Sequence, residues 1–300
     1  MRIILVIVPS VAVLYYSVTM VSDREQLEHL RTLLHEVSTS DQSAFYIDHF
    51  RTEGFEPKIS KDPEILDCIP ILQWETLVQT PFLKRLYRNS QLYTKIVSGR
   101  SHNKPILIAR TTEDISEEHF GTIQTRPLVL FGTIHESIEK CLWVYEQNIL
   151  PLVCTEGSGE LTARTALQYG IDSILCDMGS FKEVSPHLSD YLIENEVHVS
   201  VVDTAFDMSF LNTRVPQHHY TLTLGLPEVG TIAHACPETH GCDSIVFHPD
   251  ERSIIEILDT LIVTRLVNLP TPIIRYQTDI KAKSLPQTCR CKEHLSFSLS

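Results

Sequence analysis

Between residues 105 and 203 the chain repeats one pattern, a short apolar run followed by a stretch with helical periodicity. Ile106–Ile108, Leu128–Phe131, Leu150–Cys154, Ile174–Cys176 and Val197–Val202 read as strands. The stretches around Glu117, Glu136–Gln147, Glu160–Tyr169 and Pro186–Glu194 read as helices. Gly170 suits the left-handed residue that stops a helix. Strands that alternate with helices form βαβ units around a parallel sheet. From Tyr220 onward the helices vanish, and Thr221–Leu224, Thr231–Ala235, Ser244–Phe247, Ser253–Leu258, Ile262–Val267 and Ile273–Gln277 read as strands. The expected fold is therefore α/β, with βαβ layers over residues 22–219 and a β-rich subdomain over 220–300.

The N-terminus admits three readings. Ile3 to Val21 carries no charge, which meets the length criterion for a membrane-spanning helix. The β-branched Ile3, Ile4, Val6, Ile7 and Val8 suit a buried strand. A capping box, Ser22-Asp23-Arg24-Glu25, opens an amphipathic helix with Leu27, Leu30, Leu34 and Val37 on one face, so the domain proper could start there. Residues 1–21 would then be an apolar extension or a mis-assigned start. The favoured reading is an appendage to a soluble, cytoplasmic domain; the alternative is a membrane anchor through residues 3–21. Pro57 and Pro63 mark loops, and Trp74 to Asn89 is a polar, helix-compatible stretch.

Composition excludes some functions. Lys plus Arg total 25 against 38 Asp plus Glu, a net charge of −13 that repels phosphate backbones, so a nucleic-acid partner is not expected. Eight cysteines in 300 residues are too few for a disulfide scaffold. Cys68, Cys141, Cys154 and Cys176 stand singly among apolar runs, as buried thiols in a reducing compartment do. The other four fall into two close pairs.

Four segments carry chemistry-bearing residues. Val97-Ser98-Gly99-Arg100-Ser101-His102-Asn103-Lys104-Pro105 could wrap a phosphate with backbone N–H groups, hydroxyls and an ammonium, although it lacks Walker A spacing. Leu224-Gly225-Leu226-Pro227-Glu228-Val229-Gly230 sets a carboxylate in a turn between strands, where it could hold Mg²⁺ facing a nucleotide. Pro272–Asp279 delivers Arg275 and then Asp279 on a strand; Asp279 could accept hydrogen bonds from ribose hydroxyls, and a structural salt bridge is the alternative. Cys236 and Cys242 bracket a turn containing His240, and Cys289-Arg290-Cys291 follows, which suits a tetrahedral structural Zn²⁺.

The order of these segments is more specific than any one of them. A Ser-Gly…Lys-Pro loop, Leu130-Phe131-Gly132 with His135, Gly157-Ser158-Gly159, a Gly-x-x-Glu turn, Ile274-Arg275-Tyr276-Gln277-Thr278-Asp279 and a Cys-x-Cys ending occur in sequence. This resembles the phenylacetate–CoA ligase branch of the adenylate-forming acyl/aryl-CoA synthetases, from about Leu30 to Cys291. The resemblance implies the large N-terminal domain of such a ligase. Ser98, Gly99, Ser101 and Lys104 would hold ATP phosphates. Gly225 and Glu228 would form the Mg²⁺ turn, with Glu228 approaching the α-phosphate, and Arg275 and Asp279 would serve the nucleotide. Cys236, Cys289 and Cys291 would bind zinc, with Cys242 or His240 as the remaining ligand. The implied substrates are a carboxylic acid, ATP and coenzyme A; the implied partner is a second copy or a lid-donating chain.

The match is degenerate. Asn103 replaces the glycine before the loop lysine, and Arg100 and His102 intrude. Leu224 replaces an aromatic that stacks on adenine, and Pro227 replaces a hydroxyl residue. The chain ends soon after Cys291, so the small C-terminal lid domain and its lysine are expected to be absent. The expected function is a carboxylate-activating protein that is weak or inactive alone; the alternative is a non-catalytic, zinc-stapled scaffold.

Overall fold

The structure is a computed structural model. It describes residues 2–299 apart from 9–10, 21–23, 41–43, 58–64, 88–92, 99–104, 155–158, 217, 240–244, 268–269, 286–290 and 292–295; for 2–20, 93–98 and 239 it describes the backbone alone. The chain forms two compact units, Met1–Thr111 with His248–Ser300, and Thr112–Phe247. This division differs from the expected 22–219 and 220–300: the change of texture at Tyr220 falls inside the second unit, because the first strands after it extend the parallel sheet.

The first unit opens with β1 (Arg2–Val8) and β2 (Val11–Met20), an antiparallel pair. The β-branched Ile3, Ile4, Val6, Ile7 and Val8 thus lie in a strand, as their side-chain type favours. Among the described residues no helix is long and apolar enough to cross a membrane. Helix Arg24–Thr39 follows and buries Leu30, Leu33, Leu34 and Val37, while Leu27 is half-buried. The stretch after Trp74 forms two short helices, Trp74–Gln79 and Phe82–Arg85. β3 (Tyr93–Ser98) and β4 (Pro105–Arg110) form an antiparallel hairpin in which Ser98 faces Pro105.

The second unit contains β5 (Pro127–Leu130), β6 (Leu152–Val153), β7 (Ser173–Cys176), β8 (His198–Asp203), β9 (Tyr220–Leu226) and β10 (Gly230–Ala235). Their spatial order is β10-β9-β8-β7-β5-β6. All neighbouring pairs from β9 to β6 are parallel, and β10 returns antiparallel to β9. Helices Ile134–Glu146 and Gly159–Tyr169 connect these strands as expected, the second stopped by Gly170 at φ 66°. The core sets Leu128, Ile174, Val199, Val201 and Leu222 of the sheet against Ala163, Ala166, Phe181, Leu188 and Leu211.

Two helices of this unit escape a reading by periodicity, Met178–Val184 and Met208–Arg214. Each spans about two turns, too short for an apolar stripe to repeat. Each is opened instead by an aspartate, Asp177 or Asp207, whose carboxylate accepts the N–H three residues on. The helix expected over Pro186–Glu194 is a 3₁₀ turn, Ser185–His187, followed by Ser189–Glu194.

β11 (Val246–Pro249) carries the chain back to the first unit, which closes with β12 (Ser253–Ile257), β13 (Thr260–Arg265), β14 (Tyr276–Ser284) and β15 (Phe297–Leu299). The order β1-β2-β12-β13-β14-β15 is antiparallel throughout. Ile254, Ile255, Leu261, Ile262 and Val263 are all buried, which explains the near-continuous apolar text of β12 and β13. The expected strand over Ile273–Gln277 is displaced: β14 starts at Tyr276, because Arg275 takes a left-handed backbone at φ 51°. Tyr46 fixes the segment ahead of it, its hydroxyl donating to the Pro272 carbonyl (2.6 Å) and accepting from Ile274 N–H (3.2 Å).

Candidate functional site

In an open parallel sheet, ligands bind beyond the carboxyl ends of the strands, where the strand order reverses. Here the chain goes from β5 out to the edge strand β6 and then returns to β7 on the other side of β5. The reversal lies between β5 and β7. Gly132 follows one of these strands and Asp177 the other, and Asp177 ties them together: its carboxylate accepts N–H groups from Gly132 (2.7 Å) and Ser180 (2.7 Å) and the Ser180 hydroxyl (2.9 Å). Asp203, at the end of β8, accepts N–H groups from Met178 (3.0 Å) and Thr204 (2.6 Å). Neither aspartate was singled out from the sequence. The signal was a lone Asp ending each of two apolar runs, Cys176-Asp177 and Val202-Asp203.

Glu228 belongs to this same edge. β9 runs parallel to β8 with Leu224 opposite Asp203, so the turn after Leu226 projects beyond the carboxyl ends. The Val229 N–H closes the turn onto the Leu226 carbonyl (3.1 Å), and Glu228 is buried within it. Gly225 lies against Val202 of the neighbouring strand, where an added Cβ would sit 3.2 Å from a Val202 methyl. Gly230 has φ 94°, and a Cβ there would overlap the Glu118 carboxylate, which accepts the Thr231 N–H (2.9 Å). The turn carrying Glu228 is thereby held from behind by a second buried carboxylate. Leu224 is fully buried and offers no face on which a purine could stack.

The remaining nucleotide candidates lie in the first unit. Ser98 ends β3, while Gly99, Ser101 and Lys104 lie outside the described residues, in the segment joining β3 to β4. Asp279 is exposed in the middle of β14 rather than at a strand end. Arg275 is buried and committed: its guanidinium meets the Glu256 carboxylate through three contacts of 2.9–3.1 Å and donates to the Ile69 carbonyl. The salt-bridge alternative is the one formed. Burial raises the Glu256 carboxyl above the ordinary carboxylate range, and the Arg275 contacts oppose that rise.

A cluster of soft ligands stands at β11. The Cys236 N–H bonds the Val246 carbonyl (2.7 Å), and His248 follows two residues later on the same strand. His248 Nε2 lies 3.2 Å from Cys291 Sγ, and the ligand atoms of Cys236, His248 and Cys291 all lie within 4.8 Å of one another. Two thiols and an imidazole at that spacing fit the donor set of a tetrahedral Zn²⁺ site. His248 was not among the expected ligands; its signal was a histidine two residues after a strand partner of Cys236. Cys242, Cys289 and His240 lie outside the described residues.

No protein-family model and no curated protein matches the sequence. Solved structures do. An open conformation of 2-hydroxyisobutyryl-CoA ligase in complex with 2-HIB-AMP and CoA superposes with a TM-score of 0.65 at 11% identity, over 92% of this chain and 73% of that one. The same ligase in the postadenylation state with 2-HIB-AMP gives 0.64 at 11% identity, over 93% and 67%. The amide bond synthetase McbA from Marinactinospora thermotolerans gives 0.50 at 11% identity, over 69% and 48%. Across the structures of 2-hydroxyisobutyryl-CoA ligase the chain spans 65% to 73% of that ligase's length. The chain therefore has the mixed α/β fold of the large N-terminal domain of adenylate-forming ligases.

Proposed function

We propose that this chain is an ATP-dependent carboxylate-activating domain of the phenylacetate–CoA ligase type, with weak or no turnover on its own. The observation that carries the reading is a fold likeness covering more than nine-tenths of the chain to a ligase crystallised with an acyl adenylate and CoA. In such a reaction a carboxylate oxygen attacks the α-phosphorus of ATP, the bond to pyrophosphate breaks, and a thiol then displaces AMP from the acyl adenylate. Glu228, on the carboxyl edge of the parallel sheet, would hold Mg²⁺, which supplies charge neutralisation at the α-phosphate. The backbone and hydroxyls of Ser98, Gly99 and Ser101, with Lys104, would neutralise the other phosphates, and Asp279 would accept the ribose hydroxyls.

Weak turnover is argued from residues. Leu224 is an aliphatic core residue where a stacking face is needed. Asn103 carries a Cβ where the loop backbone must approach phosphate. Arg275 is held by Glu256 and is not free to meet a nucleotide. A structural Zn²⁺ on Cys236, His248 and Cys291 would hold the start and end of the β-rich region together. The test combines calorimetric titration of the full chain with ATP·Mg²⁺ and a pyrophosphate-release assay across aryl and fatty acids. Saturable binding that Asp279→Ala abolishes, with release near background, supports the reading. No nucleotide binding favours the scaffold alternative, and robust release with any acid overturns the claim of weak turnover.

A further inference from the structure

The short helix Phe82–Arg85 of the first unit sorts its side chains against the usual preference. Leu83 is 77% exposed and Lys84 faces solvent, while Arg85 is only 4% exposed. The backbone on both sides fixes this sorting. Before the helix, Thr80 donates its N–H (3.2 Å) and its hydroxyl (2.7 Å) to the Thr76 carbonyl. After it, the Tyr87 N–H donates to the Pro270 carbonyl (2.6 Å) and the Tyr87 hydroxyl to the Glu36 carboxylate (3.4 Å). The helix also packs against helix Ala44–Thr52. Arg85, between these anchors, is turned inward.

A guanidinium taken out of water needs a counter-charge. Two other buried arginines have one: Asp250 lies 3.4 Å from Arg265, and Glu256 lies 2.9 Å from Arg275. Among the described residues Arg85 meets no carboxylate. Its Nε donates to the Thr80 carbonyl (3.2 Å), and the Phe82 ring centre lies 5.6 Å from the guanidinium carbon. Nη1 is fully covered and makes no hydrogen bond. Burial lowers the Arg85 pKa to about 10, so the side chain still carries its charge at neutral pH. The nearby sequence supplies no acid either. Between Glu75 and Glu113 there are seven Lys and Arg and no Asp or Glu, in a chain whose net charge is −13.

We propose that Arg85 is the seat of a small-anion site whose ligand presents two adjacent anionic oxygens, the chemistry shared by a carboxylate and a phosphate. With Nε engaged by Thr80, the two Nη nitrogens form the end of the fork, and its parallel N–H donors match two such oxygens. No hydrogen bond of Nη1 has to break to admit them. The ligand is small, because only 4% of the residue is open to solvent, whereas a nucleic acid or a protein needs the guanidinium in the open. Neutralising the buried charge stabilises the folded chain, and more so as the anion concentration rises. The proposal does not depend on the nucleotide reading, since Arg85 and Thr80 have no part in it.

Calorimetric titration of the full chain with sodium phosphate, and separately with sodium acetate, tests it against sodium chloride of matched ionic strength. About one anion per chain is expected to bind saturably at this site. Arg85→Met should remove that binding. Arg85→Lys, which keeps the charge and loses the fork, should weaken it by roughly tenfold or more, and decides the matter if Arg85→Met does not fold by circular dichroism. Lys104→Ala should leave this site intact, which separates it from any phosphate held by the ATP loop. Tighter phosphate binding assigns a phosphate-bearing ligand and tighter acetate binding a carboxylic acid; each supports the site. In chloride alone Arg85→Met should melt no lower than the native chain, because it removes an unpaired buried charge. A markedly lower melting temperature there means that Arg85 already has its counter-charge, and overturns the proposal. No saturable binding of either anion, or binding indifferent to the folded Arg85 variants, overturns it equally.

Discussion

Arg275 shows how one side chain decides between two chemistries. An arginine three residues before an acceptor-bearing Thr-Asp pair reads equally well as a nucleotide contact or as an ion pair. Its left-handed backbone turns the guanidinium onto Glu256 and the Ile69 carbonyl and delays the start of β14 by three residues. Breaking a buried pair strands the remaining charge, so Glu256→Ala should cost about 3–5 kcal/mol in chemical denaturation. Replacing both residues by leucine should cost less than the sum of the single changes. Asp207 illustrates the exposed case. The Lys182 ammonium (2.6 Å), then the Ser209 hydroxyl and the Phe210 N–H, hold its carboxyl down to about 2. Because the folded value lies below the ordinary 3.8, its contribution is present above about pH 4 and disappears as pH falls through about 2. Asp207→Asn keeps the helix cap and should flatten that acid limb of the stability–pH curve.

At the scale of elements, the turn between β9 and β10 is the most constrained piece of the second unit. Gly230 is needed twice, for its positive φ and for the space the Glu118 carboxylate occupies. Gly230→Ala should therefore destabilise the chain by about 1–3 kcal/mol. It should also weaken nucleotide binding by displacing Glu228, read as a rise in the calorimetric dissociation constant; unchanged binding would separate the turn from the nucleotide site. Gly230 was visible in the sequence as the end of the Leu224–Gly230 segment, two positions after Glu228. Glu118, the residue that makes it indispensable, lies more than a hundred positions earlier and is joined to it only by folding. The aspartates that cap short helices at Asp177 and Asp207 were hidden for a related reason: a cap is a local contact with no periodicity to betray it.

At the scale of the whole molecule, Cys236, His248 and Cys291 form the ligand cluster at β11. Metal analysis should find about one zinc per chain, and a chelator should lower the melting temperature by several degrees, since binding a folded-state ligand adds directly to stability. His248→Ala and Cys291→Ser should each lose the metal, whereas His240→Ala should retain it; the reverse pattern would return the ligand role to the 236–242 turn. Cys236 and Cys291 were legible as members of close cysteine pairs. His248 was not, because a strand partner is chosen by register, and register is a property of two segments at once. The sequence by itself determined the parallel α/β layers, the change to strands after Tyr220 and the glycines that punctuate them, since periodicity and turns act within a few residues. Only the tertiary structure decided that Arg275 closes on Glu256, that Glu228 joins Asp177 and Asp203 on one sheet edge, and that Arg85 is buried while Leu83 faces solvent. Each of those outcomes depends on which distant side chains compete for the same space and the same hydrogen bonds.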